Sequence, residues 1–399
     1  MAIGIATDSW LNLARIRCFV AGGKTGTVSC MPPLAGIKVV DFSTLLPGPL
    51  ASLILAEAGA EVVKVERPEG DEMRGYEPRF GAASVGFALL NRGKRSIALD
   101  LKANGAPERL MSLLRSADVL IEQFRPGVMD RLGLGHGVLS AVNPRLIYCS
   151  ITGYGQSGPK AQVAGHDLNY LAETGLLHLA AAADGAPAVP PTLIADIAGG
   201  CYPAVLNILL AFRERDATGR GCHLDIAMAD HLFPLMWWAL GQGFAAGRWP
   251  RPAGELLTGG SPRFQIYPTA DAHFLAAAPL EQRFWERFAE LIGLEPVYRE
   301  DRRDPEATKA RVAAIIRSRD AAGWQARFAG ADVCCTLVAS LEQAVRDPHF
   351  VARGLFAGEL SDGAGRSIPA LPVPLARVFR ETRAANYPAL GEGNDLLDE

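Results

Sequence analysis

The chain has no C-x-x-C pair, no basic surplus and no histidines at metal-ligand spacing. Its seven cysteines are scattered at 18, 30, 149, 201, 222, 334 and 335. An odd count without metal spacing excludes a zinc ribbon and a disulfide framework. It points to reduced, mostly buried thiols in a reducing, cytoplasmic setting. Cys334 and Cys335 are adjacent, but Val333, Leu337 and Val338 around them read as a core strand rather than a redox loop. A net charge of −3 denies the cationic excess that a general nucleic-acid binder needs. No apolar run reads as long enough to span a membrane; the best candidate, Leu232 to Leu240, is short and set between polar residues. Internal repeats and low-complexity tracts are not evident. The histidines at 136, 178, 223, 231, 273 and 349 stand alone, and we assign them no chemistry.

What is there suits a folded enzyme of two unequal domains. The length of 399 residues exceeds one ordinary core, and 49% apolar with 21% charged residues is the balance of a globular chain. Residues 1–30 carry Arg15, Arg17 and Lys24 against Asp8. They read as a dispensable extension upstream of a start at Met31, with a weak organellar targeting segment as the alternative.

From Gly36 to Phe42 the residues are strand-like, then a small-residue loop Leu46-Pro47-Gly48-Pro49 leads to a helical stretch, Ala51 to Ala58. A second strand runs from Ala60 to Glu66. Strand, crossover helix, strand is a βαβ unit, and it recurs: strands at 96–99, 119–123 and 146–151, with a helix at 107–115. This predicts an α/β fold with a Rossmann-like, mostly parallel sheet. A helix opened by His166 and Asp167 and running to Leu177 is expected, then a long apolar helix from Asp196 to Arg213, a strand at 223–227, and another helix from about Ala229. Beyond the Gly/Pro-rich stretch 247–262, a hairpin and helices at 282–291 and 306–317 suggest a smaller α+β domain. The expected division is 31–228 for the large domain, 229–262 for a linker, 263–345 for the small domain, and 346–399 returning to the large one.

Gly153-Tyr154-Gly155-Gln156-Ser157-Gly158 satisfies G-x-G-x-x-G after a strand, but Pro159 follows and no strand ends in an acid about twenty residues on. We read it as an active-site loop, not a dinucleotide site. Arg92, Lys94 and Arg95 crowd one turn, with Arg67 and Lys102 at neighbouring strand ends. Such a run is either a solvated face or a set of cations at the crevice of an open sheet, suited to a phosphate-rich nucleotide.

Several segments together carry a resemblance. They are Leu34-Ala35-Gly36-Ile37-Lys38-Val39-Val40-Asp41, Pro47-Gly48-Pro49, the run Gly59 to Pro68, the run Asn91 to Lys102, Arg125-Pro126-Gly127-Val128-Met129 and Thr218-Gly219-Arg220-Gly221. From Pro32 to the C-terminus the chain resembles the superfamily of family III CoA-transferases and α-methylacyl-CoA racemases. The resemblance implies an acyl-CoA enzyme without metal or bound redox cofactor, coenzyme A entering as part of the substrate thioester. It also implies an interlocked homodimer, with no nucleic-acid or membrane partner. Arg67 and Leu99, Asp100, Leu101 and Lys102 should then meet the CoA nucleotide. Arg92, Lys94, Arg95, Arg125 and Arg131 join them as candidate phosphate contacts. Gly165, Leu168, Asn169 and Tyr170 should line the thioester end.

The two branches differ in chemistry. In transferases an aspartate matching Asp167 is the nucleophile, usually after a non-basic residue; in racemases the place reads Gly-His-Asp, as Gly165-His166-Asp167 does here. Ala195-Asp196-Ile197-Ala198-Gly199-Gly200 resembles the setting of the racemases' second base, and Glu281 the acid that supports the histidine. Taken singly, His166, Asp167 and Asp196 would be helix caps and Glu281 a first-turn acid. Jointly they point to α-carbon racemisation by His166 and Asp196. CoA transfer through Asp167 and a non-catalytic CoA-binding protein remain the alternatives. Thr258-Gly259-Gly260-Ser261-Pro262 departs from the usual racemase segment, which leaves the acyl group open.

Overall fold

The computed structural model describes residues 31–182, 184–380 and 385–397. The reading of residues 1–30, with Cys18 and Cys30, lies outside them.

The βαβ pattern folds as one six-stranded sheet. Its strands are β1 Lys38–Asp41, β2 Glu61–Glu66, β3 Arg95–Ala98, β4 Val119–Glu122, β5 Ile147–Thr152 and β6 His223–Ala227. All neighbours are parallel, in the order β3-β2-β1-β4-β5-β6. That order reverses direction between β1 and β4, which opens a crevice at the C-terminal ends of those strands. The sheet is buried on both faces. Helices α1 (Pro47–Glu57) and, later, Tyr202–Thr218 cover Val39, Val119, Ile121 and Cys149; α2 (Ala106–Ser116) and α3 (His136–Val142) cover Val40, Val63, Leu120 and Tyr148. Each fully buried Leu of such a core is worth about 1.5–3 kcal/mol.

Four boundaries differ from the sequence reading. The expected loop Pro47-Gly48-Pro49 is the first turn of α1. Proline suits that position because its missing N–H would have had no partner there. The helix expected from His166 to Leu177 is instead α4, Asp167–Glu173, followed by a separate turn, Leu176–Leu179; Gly175 at φ +86° breaks it. The helix after Ala229 opens as a 3-10 segment, Asp230–Met236, containing Pro234.

The fourth concerns the long apolar helix, which begins as a π-helical turn, Ala195–Cys201, and continues as α5, Tyr202–Thr218. Together Ala195–Thr218 spans 24 residues at mean hydropathy 1.5, long and apolar enough by length and composition to cross a membrane. This corrects the expectation from sequence, in which Leu232 to Leu240 is the best candidate and no run is long enough. Here the helix packs on the sheet through Ala204, Ile208 and Ala211, while Leu206, Leu209 and Leu210 stay exposed. Gly219 closes it in the left-handed conformation.

After α6 (Trp237–Ala246) and a loop come the antiparallel strands β7 Gln265–Pro268, β8 Phe274–Ala277 and β9 Cys335–Leu337. Helices α7 (Gln282–Ile292) and α8 (Pro305–Ile316) pack over them around Trp285, Phe288, Val312 and Ile316. This is the smaller α+β unit. The C-terminal segment forms a further small sheet, Glu359–Ser361 with Ser367–Pro369 and Ala385–Asn386, and lies along β3, where Gly393 N–H donates to Ser96 C=O at 2.8 Å.

Candidate active site

Two helix starts meet beside the sheet. His166 precedes α4 in extended conformation, and its backbone N–H donates to Asn169 Oδ1 at 3.0 Å. Its imidazole is exposed, as are Leu168 and Asn169. Asp167 is 5% exposed, and its Oδ1 accepts the backbone N–H of Asp196 at 3.0 Å. Asp196 sits in the first turn of the π-helical segment, a geometry found disproportionately at functional sites. Burial and then the charge of Asp167 push its carboxyl up to about 6, against the downward pull of His166. Two carboxylates and an imidazole thus share one site, with one carboxyl poised near neutrality.

Glycines make this approach possible. A Cβ on Gly199 would stand 2.3 Å from the Met228 carbonyl oxygen, and one on Gly200 would stand 3.1 Å from Pro47 Cβ. The pair after Asp196 therefore lets the π-turn press against α1 and the end of β6. The G-x-G-x-x-G loop has a similar cause. A Cβ on Gly153 would lie 2.5 Å from the Tyr170 hydroxyl, so its first glycine makes room for a tyrosine of the site, not for a pyrophosphate.

The crevice at the strand ends is a cleft of about 750 Å³. Phe42 and Thr44 beyond β1, Arg67 beyond β2, Leu99, Asp100, Leu101 and Lys102 beyond β3, and Phe124 and Val128 beyond β4 line it. Arg67 spends only its Nε, on Gly70 C=O at 2.8 Å, and Lys102 forms no ion pair among the described residues. Arg125 and Arg131 are exposed on the turn that carries Phe124 and Val128. The cleft lining does not include His166, Asp167 or Asp196. The start of α1 connects the two places: Gly48 N–H donates to Gln123 Oε1 at 2.7 Å, and Pro47 meets Gly200.

Arg92, Lys94 and Arg95 are not in the cleft. They precede β3 or begin it, so they lie toward the other end of the strand. Arg92 pairs with Glu57 at 2.8 Å and donates to two carbonyls. The Lys94 ammonium is buried among Asp41, Ser52, Asn91 and the Pro49 carbonyl. Arg95 pairs with Asp395 at 2.7 Å on the surface. Of the cations read from the sequence, these three hold the fold. Glu281, the candidate supporting acid, stands at the N-cap of α7, just before its first residue, in the small unit, exposed, and no hydrogen bond joins it to His166 among the described residues.

Two features escaped the sequence reading. Lys64 is fully buried in β2, donating to Ser43 C=O at 2.6 Å and pairing with Asp71 at 2.9 Å. A lysine between valines on an inward strand face was the signal. Glu122, the last residue of β4, accepts the N–H of Phe124 at 2.8 Å and so holds the rim of the cleft. Burial pushes its carboxyl up to about 7.

The profile of CoA-transferase family III matches residues 34–394. The chain belongs to that family. Among family III relatives, the α-methylacyl-CoA racemase of Mus musculus is 36% identical over 90% of this chain and 91% of its own length. The acetyl-CoA:oxalate CoA-transferase of Acetobacter aceti is 32% identical over 92% and 95%. A crystal structure of a CAIB/BAIF family protein from Brucella suis matches with a TM-score of 0.78 at 28% identity, covering 92% of this chain and 99% of its own. Family III is a family of enzymes acting on acyl-CoA, and the two named relatives fall on different sides of its chemistry.

Proposed function

We propose that this chain is an acyl-CoA racemase that inverts the α-carbon of 2-methylacyl-CoA or related thioesters by two-base proton transfer through an enolate. The observation that carries the reading is the Asp167–Asp196 contact. The carboxylate that a transferase would use as nucleophile is almost buried and accepts the Asp196 N–H, while Asp196 is half-buried with its proton affinity raised.

In this reading the CoA nucleotide occupies the cleft beside Arg67 and Lys102, and the thioester reaches the start of α4. His166 and Asp196 stand on opposite faces of the α-carbon, one ionised to accept and the other protonated to donate. A carbon acid about ten pKa units weaker than imidazolium makes the transfer cost about 14 kcal/mol, so the enolate oxygen needs stabilising. The N–H groups of Asp167 and Leu168, unpaired within the helix, are suited to that oxygen.

The second reading, CoA transfer through Asp167, is supported by the Acetobacter aceti relative. Incubating acyl-CoA in deuterated water, with CoA transfer to free acids assayed in parallel, separates the two. Deuterium at the α-carbon without transfer is expected; transfer without exchange overturns the racemase reading.

The same proposal includes a homodimer. Tyr202, Leu206, Leu209 and Leu210 on α5 and Trp237, Trp238 and Phe244 on α6 are exposed, and a second copy would cover so much apolar surface. Mass measurement in dilute solution should give twice the chain mass; a stable, active monomer rejects it.

A further inference from the structure

The racemase reading leaves the Asp167 side chain without a task, because only its N–H faces the reaction. Its surroundings give it one. The carboxylate is 5% exposed, pairs with no cation among the described residues, and reaches across to the first turn of another helix to accept the Asp196 N–H at 3.0 Å. An uncompensated buried carboxylate costs several kcal/mol, so such a group needs a reason to be retained. We infer that Asp167 is a positioning residue for Asp196, seating its backbone by a hydrogen bond and facing its carboxyl with a second, buried negative charge. This rests on the racemase reading of the site.

The chemistry requires such a device. A racemase runs in both directions, so each base must be found protonated and deprotonated. An ordinary carboxyl, near 4, is almost never protonated at neutral pH. With the Asp196 carboxyl pushed up to about 6, a far larger fraction of it holds the proton there. Burial contributes most to that rise, and the Asp167 charge comes next.

Among the described residues, the groups around Asp196 leave this role to Asp167. From α4, His166 acts in the opposite sense, and Tyr170 stays neutral, its hydroxyl pushed up to about 12 by burial and by Asp196 itself. Against the π-turn α1 presents Pro47. The neighbouring 3-10 segment carries Asp230 and His231, and neither contributes to the rise. Cys201, in the same turn, is held neutral by burial.

Asp167→Asn tests the inference, because an amide oxygen keeps the acceptor for the Asp196 N–H and removes only the charge. The pH dependence of α-deuterium exchange is measured for each enantiomer of a 2-methylacyl-CoA with wild type and variant. The limb belonging to Asp196 should move to lower pH by about one unit, a tenfold smaller protonated fraction at pH 7. Asp167→Ala should move the same limb and also slow exchange, having lost the seat as well. An Asp167→Asn profile that overlays wild type overturns the inference. A direct measurement follows the Asp196 carboxyl carbon by NMR titration in wild type and in Asp167→Asn. Its midpoint should fall on the substitution; an unchanged midpoint refutes the inference. Failure of the racemase reading looks different: wild type itself would then show no α-exchange at any pH.

Discussion

The Tyr170 hydroxyl donates to the Gly165 carbonyl at 2.6 Å, tying the first turn of α4 back to the residue just before His166. The ring, edge-on to Tyr154 at 5.2 Å, fills the space beside Gly153. Tyr170→Phe keeps the ring and leaves a carbonyl unpaired, so it should cost about 0.5–1.5 kcal/mol in denaturant unfolding. Gly153→Ala should cost about 1–3 kcal/mol through overpacking alone. Equal stability of wild type and Gly153→Ala would show that the loop yields easily and that the glycine is there for another reason.

Removal of either base should separate inversion from exchange. His166→Ala and Asp196→Asn are each expected to lower racemisation by about 10²–10⁴-fold, roughly 3–5 kcal/mol. Each should still wash deuterium into one enantiomer, and the two variants should prefer opposite ones. Loss of exchange from the same enantiomer in both would place the two residues on one face of the carbon.

The cations sort into ligand-facing and structural sets. Arg67→Ala and Lys102→Ala should each weaken CoA binding by about 10–100-fold in calorimetry at fixed salt, the worth of one charge-assisted contact. Arg95→Ala removes a surface pair and should leave CoA affinity within twofold. Equal losses in all three would mean that long-range charge, not contact in the cleft, governs binding.

Glu122 makes a stability prediction with a definite sign. Its folded carboxyl holds a proton up to about pH 7, whereas an unfolded glutamate releases it near 4.5. The folded state therefore binds more protons over that window, and stability falls as pH rises through it, by up to about 3 kcal/mol. Glu122→Gln keeps an acceptor for the Phe124 N–H and cannot ionise. Its unfolding free energy should match wild type near pH 4.5 and exceed it at pH 8. Parallel curves for the two proteins across that range would mean that Glu122 ionises normally in the fold.

The six parallel strands were legible because each is a run of a few apolar residues between breakers, a local pattern. His166, Asp167 and Asp196 could be singled out only because the segments around them resemble those of a known family; taken singly they read as helix caps. Arg67 and Lys102 lie at strand ends, where open sheets bind ligands, and the rest of the stretch Leu99 to Lys102 came from the same resemblance. Other things were set by contacts between distant segments. Arg92, Lys94 and Arg95 looked like their neighbours in charge, but they stand at the start of β3, and burial beneath α1 or pairing with the C-terminal segment fixes their use. The glycines at 153, 199 and 200 have no local requirement for positive φ. They are explained only by what presses on them, Tyr170, Met228 and Pro47. The hydrogen bond from Asp196 to Asp167 crosses twenty-nine residues, and no pattern within either segment encodes it. The sequence by itself determined the elements and the chemical groups, because propensity and periodicity act between near neighbours. The tertiary structure decided which groups share a site and with what charge, because burial and electrostatic coupling depend on distance in space.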